Sequence, residues 1–230
     1  MKKITLSAIA LMAFAFTQAQ DLKFGAKAGL NLANLSTDYS GEGSWDDDNK
    51  MKVGFHVGGF VEIKFSEKFA LQPELLFSTQ GTKTESSEFD GDGFSSSSED
   101  KINLSYLNVP VMVKFYPIEK LFIEAGPQVG FLLSAKSKYE ASYTVGGTTT
   151  SESEDIDVKD FYKSIDFGMN VGVGYEFTDM IYANLRYNIG LSDITEGDDN
   201  DEFEDVDFGA YGDVFKTRNN VLSLSVGFKF

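Results

Sequence analysis

The sequence predicts an all-β chain: an eight-stranded antiparallel up-and-down transmembrane β-barrel with four long extracellular loops. Three observations predict it. Eight segments alternate apolar and polar residues with a period of two, the mark of a strand with two unlike faces. The connections between them alternate short and long, as they do when an even number of strands crosses a membrane. Beyond residue 20, no stretch is apolar for the roughly 18 consecutive residues that a spanning helix needs. A closed barrel is the other spanning structure that satisfies all of its own backbone hydrogen bonds.

The first twenty of the 230 residues read as an export signal. Lys2 and Lys3 form a basic start, Ile4 to Phe16 an apolar run too short to span, and Thr17-Gln18-Ala19 a small-residue cleavage region. The expected division is a signal peptide over 1–19 and a barrel domain over 20–230. The chain has no cysteine, which excludes disulfides, thiolate metal sites and a cysteine lipid anchor.

The first strand sets Phe24, Ala26, Ala28, Leu30 and Leu32 against Gly25, Lys27, Gly29 and Asn31. The second sets Val53, Phe55, Val57, Val61 and Ile63 against Gly54, His56, Gly58, Glu62 and Lys64. The third sets Phe69, Leu71, Leu75 and Phe77 against Gln72, Glu74 and Gln80. In the fourth, Leu107, Val109, Val111, Val113 and Phe115 oppose Asn108, Met112 and Lys114. Its start, Ile102-Leu104-Tyr106, has the opposite parity, which predicts a β-bulge near Tyr106.

The fifth strand sets Ile123, Ala125, Val129, Phe131 and Leu133 against Glu124, Gly126, Gln128 and Gly130. The sixth is the most regular: Ile165, Phe167, Met169, Val171, Val173, Tyr175 and Phe177 oppose Asp166, Gly168, Asn170, Gly172, Gly174 and Glu176. The seventh sets Ile181, Ala183, Leu185, Tyr187 and Ile189 against Tyr182, Asn184, Arg186 and Asn188. The last sets Leu222, Leu224, Val226, Phe228 and Phe230 against Ser223, Ser225, Gly227 and Lys229.

Tight turns are expected at Ser66-Glu67-Lys68, at Pro117 to Lys120 and at Thr178-Asp179, with long polar loops over Ala33–Lys50, Gly81–Asp100, Lys136–Asp160 and Ser192–Arg218. Both ends of the barrel then lie on the short-turn, periplasmic side. An aromatic girdle is expected there from Phe24, Phe65, Phe69, Tyr116, Phe122, Phe177 and Phe230.

Alternation alone also fits a soluble, lipocalin-like ligand-binding barrel with its polar face outward. The charges favour lipid outside, indirectly. The polar face carries Lys27, Lys52, Lys64, Lys114, Arg186 and Lys229 against Glu62, Glu74, Glu124, Asp166 and Glu176. That near balance suits carboxylates and cations paired in a confined interior, and a solvated surface has no need of it. Eight strands enclose a lumen that side chains fill, so a plugged interior is expected, not an open pore.

The four loops hold about three-quarters of the 36 acidic residues and about a third of the 20 basic ones, so the net charge of −16 belongs to the extracellular side. This charge excludes nucleic acid as a partner. The densest run, Asp198, Asp199, Asp201 and Glu202, offers hard oxygen ligands for calcium, which would link loops to lipopolysaccharide phosphates. It lacks the EF-hand glycine and glutamate spacing, and the plainer reading is a solvated acidic loop. No other cofactor is expected. His56, the single histidine, sits mid-strand among glycines, where it reads as packing. Gly168, Gly172 and Gly174 fall on one strand face and make no phosphate cradle.

Phe24-Gly25-Ala26-Lys27-Ala28-Gly29-Leu30-Asn31, Leu71-Gln72-Pro73-Glu74-Leu75, Tyr106-Leu107-Asn108-Val109-Pro110, Glu124-Ala125-Gly126-Pro127 and the glycine-rich sixth strand stand in this order along the chain. Together they resemble the small outer-membrane β-barrel family common in Bacteroidota, the "porin family" or PorT-like proteins. The resemblance implies a bacterial outer-membrane location and insertion by the barrel assembly machinery, which would read the aromatic end of the last strand, Phe228 and Phe230. It also accounts for Pro73, Pro110 and Pro127 in strands, which otherwise predict local bulges. The expected role is non-enzymatic: envelope integrity or surface-exposed binding. The alternatives are an accessory subunit of a secretion or uptake complex, an adhesin, or the soluble ligand-binding barrel.

Overall fold

The computed structural model describes residues 21–39, 49–90, 94–145, 147–196 and 215–230. The expected signal peptide and the proposed calcium ligands Asp198, Asp199, Asp201 and Glu202 lie outside the described residues. Nine strands follow in chain order: β1 (Asp21–Tyr39), β2 (Asn49–Lys64), β3 (Phe69–Asp90), β4 (Phe94–Ile118), β5 (Leu121–Val145), β6 (Thr148–Asp157), β7 (Ile165–Glu176), β8 (Ile181–Gly190) and β9 (Phe215–Lys229). A 3-10 turn, Lys159–Phe161, precedes β7.

Eight of these strands close on themselves. Neighbours pair antiparallel around the ring β1-β2-β3-β4-β5-β7-β8-β9, and β9 returns to β1 through pairs such as Lys27↔Gly227 and Leu32↔Leu222. The ninth strand, β6, lies outside the ring on the far half of β5, in the stretch expected to be a loop. The short turns are shaped by hydroxyls: Ser66 Oγ accepts from the Phe69 amide at 3.1 Å, and Thr178 Oγ1 accepts from the Ile181 amide at 3.0 Å.

The alternation has the sense that suits lipid. Val171 is 46% exposed while Asn170 beside it is 1% exposed. The same contrast separates Leu224 from Ser225 and Ile123 from Glu124. A soluble barrel would reverse these faces, so the lipocalin-like alternative is overturned. Phe24, Phe65, Phe69, Phe177 and Phe230 are exposed near the short turns, as a girdle would be. Tyr116 and Phe122 are not part of it. Both are buried inside, because they share the inward parity of Lys114 and Glu124.

Three expectations are corrected. First, two of the long polar stretches, Gly81–Asp100 and Lys136–Asp160, are strand over most of their described residues. β3, β4 and β5 have 22, 25 and 25 residues, against the roughly 9–11 that a tilted strand needs to cross. Polar residues such as Ser86 and Ser98 continue the ladder as register partners. Both faces are in water there, so no apolar alternation marks the strand. Gly81 stands in β3 near the start of this extension with φ +127°, and a Cβ on it would lie 2.0 Å from the Ile102 carbonyl oxygen.

Second, the bulge is on the opposite strand. Ser105 pairs with Ser134 and Tyr106 with Leu132, so the extra residue is Leu133 of β5. β4 keeps one parity, and Leu104 and Tyr106 point inward as apolar residues. Third, the prolines cause no bulges: Pro73↔Val111, Pro110↔Gln128 and Pro127↔Met169 stand in ladders whose register is unchanged on either side. Each removes one amide donor; the pairing lapses for two residues beside Pro73 and Pro110 and resumes in the same register.

The lumen is layered. At the short-turn end, Phe60, Ala70, Tyr116, Phe122 and Tyr182 form an apolar cluster. At the far end, Leu35, Leu104, Tyr106, Leu132, Ala135 and Ile194 form another, with Val158 and Tyr162 packed against it. Charged and amide side chains fill the remainder of the interior.

Candidate functional site

The interior charges come from strands on all sides of the ring. Glu74 (β3) accepts two parallel hydrogen bonds from Arg186 (β8), Nη1 to Oε2 at 3.0 Å and Nη2 to Oε1 at 2.7 Å. Arg186 Nε also donates to Glu124 Oε1 (β5) at 2.8 Å, and Asn184 Nδ2 donates to the same oxygen at 2.7 Å. Lys27 (β1) lies 3.3 Å from Glu74, whose Oε1 also accepts from Gln72 at 2.8 Å. A forked guanidinium–carboxylate pair fixes geometry as well as charge.

A second group lies nearer the short turns. Glu62 (β2) is held by Lys114 (β4) at 2.9 Å and Lys229 (β9) at 2.7 Å, and Lys229 reaches Glu176 (β7) at 2.6 Å. The Tyr116 hydroxyl donates to Glu176 at 2.8 Å and Glu62 at 3.3 Å. Lys114 Nζ also stands 4.3 Å over the Phe122 ring and 4.6 Å over that of Tyr182. The two groups together balance the cations Lys27, Lys114, Arg186 and Lys229 against the carboxylates Glu62, Glu74, Glu124 and Glu176. Such pairing is what permits ionised groups to stay where water is scarce.

Six of the eight expected network residues are therefore joined: Glu62, Glu74, Lys114, Glu124, Glu176 and Arg186. Two are not. Lys64, the last residue of β2, rests 4.6 Å over the Tyr116 ring and makes no ion pair among the described residues. Asp166 accepts from Ser192 Oγ at 2.8 Å and Asn219 Nδ2 at 3.5 Å. It stands roughly 20 Å along β7 from Gly172, the register partner of Glu124, and is too far up the wall to meet the cations. Lys52 donates to the Gln80 carbonyl oxygen at 3.1 Å. Tyr116 was missed as an interior donor; its even number in β4, shared with Lys114, was the available signal.

Glycines set the tight fit of the aromatic layer. A Cβ on Gly174 would lie 2.1 Å from Phe122 Cζ, and one on Gly227 would lie 2.2 Å from Tyr182 Cζ. Each ring packs over the bare backbone of its register partner on the neighbouring strand.

His56 stands in an ordered chain. Asn31 Nδ2 donates to Ser78 Oγ at 3.0 Å and to the Phe55 and Thr79 carbonyls at 3.1 Å each, so its Oδ1 is turned to His56 Nδ1 at 2.8 Å. Nδ1 therefore carries the proton, and Nε2 accepts from the Ser225 hydroxyl at 2.9 Å. This is the nucleophile–base–orienter order of a serine hydrolase. However, Ser225 is 1% exposed, and the adjoining cavity, lined by His56, Asn31, Lys27 and Arg186, holds about 30 Å³. That is room for a water or two and not for an acyl substrate.

Residues 191–196, which follow β8, pack against the far end of the lumen. Ile194 is fully buried, its amide donates to Thr217 O at 2.9 Å and its carbonyl accepts from the Lys163 amide at 2.8 Å. Asp193 holds the segment by accepting from the Thr195 and Thr217 amides at 3.2 and 3.0 Å and from the Thr195 hydroxyl at 2.8 Å. Partial burial pushes the Asp193 carboxyl up, but these hydrogen bonds and Lys163 outweigh it and leave the group below its ordinary value. Beyond the mouth, the extended β3–β6 sheet carries surface ion pairs: Lys101–Glu99 at 2.7 Å, Lys101–Glu140 at 3.3 Å and Lys138–Glu140 at 2.7 Å. Hydrogen bonds from Lys50 and Lys83 hold Glu85 down to about 2.

A family model described as "Outer membrane protein beta-barrel domain" matches residues 18–196. No curated protein matches the chain. Among solved structures, the chain is similar to Ail, the attachment invasion locus protein of Yersinia pestis, at 11% identity over 92% of this chain and 100% of that one, with a TM-score of 0.39. It is similar to Neisserial surface protein A at 16% identity, 92% and 100% coverage and a TM-score of 0.37. The outer membrane protease OmpT of Escherichia coli follows at 8% identity, 93% and 100% coverage and a TM-score of 0.38.

Proposed function

Because the chain belongs to the outer membrane protein beta-barrel domain family and so resides in the bacterial outer membrane, we propose that it is a closed, non-enzymatic barrel serving envelope integrity or surface-exposed binding. The observation that carries this reading is the Arg186–Glu74 fork with its partners Lys27 and Glu124, which ties opposite walls of the lumen together between two apolar layers. A solute path would have to break paired, dehydrated charges and displace the rings of Phe122 and Tyr182. The test is reconstitution in a planar bilayer. The expected trace shows no stable conductance, and a nanosiemens-scale channel would refute the closed barrel.

The non-enzymatic part is supported by the sealed position of Ser225 and by the size of the cavity beside His56. The partners that follow are outer-membrane lipid around the exposed apolar belt, lipopolysaccharide at its outer rim, and the barrel assembly machinery during insertion. Phe228 and Phe230, both exposed at the end of the chain's last strand, are the residues such machinery would read. The motif stretches quoted above favour the PorT-like Bacteroidota branch of the family. A role as accessory subunit of a secretion or uptake complex is the second reading. The extended β3–β6 sheet favours it, and stable co-purification of a partner in mild detergent would test it.

A further inference from the structure

We infer that the free edge of β6 is a docking strand for an extended, basic polypeptide segment, which would add to the β3–β6 sheet as one more antiparallel or parallel strand. This goes beyond the closed-barrel reading and rests on its placing of the β3–β6 sheet outside the membrane.

The first observation is the open edge. Among the described residues β6 pairs with β5 alone, over Thr148–Asp157, and ends the sheet, and all ten of its residues are exposed. An unpaired strand edge presents a row of amides and carbonyls ready for another strand. Natural edges are blunted by charged side chains, proline or a bulge; β6 has no proline and no bulge, and its charges are all acidic, so they turn away acidic strands and not basic ones.

The second observation shows which groups are on offer. Val158, register-continuous with β6, donates its amide to Ala135 O at 3.0 Å. Bonded and non-bonded pairs alternate along an antiparallel ladder, so the even-numbered residues of β6 bond to β5. The amides and carbonyls of Thr149, Ser151, Ser153, Asp155 and Asp157 therefore point to the free side.

The third observation is charge. β6 carries Glu152, Glu154, Asp155 and Asp157 and no basic residue. Its existing partner meets that charge in register, with Lys136 opposite Asp157 and Lys138 opposite Asp155. Glu154 and Glu152 face Tyr139 and Ala141 and have no cation opposite them. A newcomer with lysine or arginine at alternate positions would repeat on the free side what β5 does on the other. A second copy of β6 would bring like charges together and is disfavoured, as is a polyanion.

The test uses the full mature protein in detergent micelles at physiological salt, with heat-modifiable migration confirming that every variant is folded. The probe is a labelled ten-residue peptide alternating lysine and threonine, with a glutamate–threonine peptide as its mirror. The basic peptide should bind and slow hydrogen exchange at Ser151 and Ser153, while the acidic one does not bind. The variant with Ser151→Pro and Ser153→Pro keeps the charge and loses two edge donors, and should weaken binding by about tenfold. Glu152→Lys with Glu154→Lys should exchange the preference between the two peptides. Equal binding to the proline variant would mean attraction by charge alone and would overturn the proposal. So would absence of binding, or a dimer in analytical ultracentrifugation that the proline variant abolishes. Conductance in a protein that still binds the peptide would sink the closed barrel and leave this inference standing.

Discussion

Arg186 and Glu74 meet across the full width of the barrel. β8 and β3 are four places apart in a ring of eight, so their forked pair, at 2.7 and 3.0 Å, joins diametrically opposed walls. Side chains from opposite walls can touch only because eight strands enclose so narrow a lumen.

Arg186→Met should leave Glu74 and Glu124 buried with too little positive charge. The expected loss is about 3–5 kcal/mol, the cost of breaking a buried pair from one side. Arg186→Lys retains charge without the fork and should fall between Met and wild type. Urea unfolding in lipid vesicles, followed by circular dichroism and gel mobility, measures both. An unchanged midpoint for Arg186→Met would show that the network contributes nothing.

Gly174→Ala puts a methyl group into the Phe122 ring, 2.1 Å from Cζ. Overpacking of this kind costs about 1–3 kcal/mol. Pairing it with Phe122→Leu should recover part of the loss, since the smaller side chain can withdraw. Additive losses in the double variant would place the strain elsewhere.

His56→Ala should orphan both the Asn31 carbonyl oxygen and the Ser225 hydroxyl, at a cost of about 1–3 kcal/mol. Ser225→Ala should cost less, because only one neutral hydrogen bond is removed. A fluorophosphonate probe should leave Ser225 unlabelled in the folded protein, as read by mass spectrometry of the tryptic peptides. Labelling that His56→Ala abolishes would establish a reactive serine and contradict the non-enzymatic reading.

The Asp193 carboxyl sits below its ordinary value, so the folded state favours its ionised form. The sign follows: its contribution is complete above the ordinary carboxylate value of 3.8 and is lost as pH falls through the lowered folded value. Amide exchange at Thr195 and Thr217 should therefore quicken, relative to other barrel amides, in strongly acid solution. Asp193→Asn should show the same quickening already at neutral pH. Uniform behaviour across the barrel would remove Asp193 from its role at the mouth.

Strand alternation made much of this legible. The faces of Val171 and Asn170, and of Leu224 and Ser225, follow from parity alone, as does the inward placing of Glu62, Glu74, Lys114 and Arg186. The same rule, carried through β4, contained Tyr116 as an interior donor. It could not show that β3 runs on to Asp90 and that β4 begins at Phe94, because serine and threonine in water pair without an apolar face to betray them. Nor could it show on which strand the bulge lies. A parity change in β4 hydrophobicity looks like an inserted residue, whereas Leu104 and Tyr106 simply line an apolar layer and Leu133 of β5 is the extra one.

By itself the sequence determined the architecture: the number of ring strands, their antiparallel order and the face that meets lipid. These follow from local period, turn length and composition, which are properties of neighbours along the chain. Only the tertiary structure decided which charge meets which, that Ser225 closes on His56, that Asp166 stands apart from the cations, and that β6 leaves an open edge. Those depend on ring closure and register, where a shift of one residue between strands far apart in sequence changes every partner across the lumen.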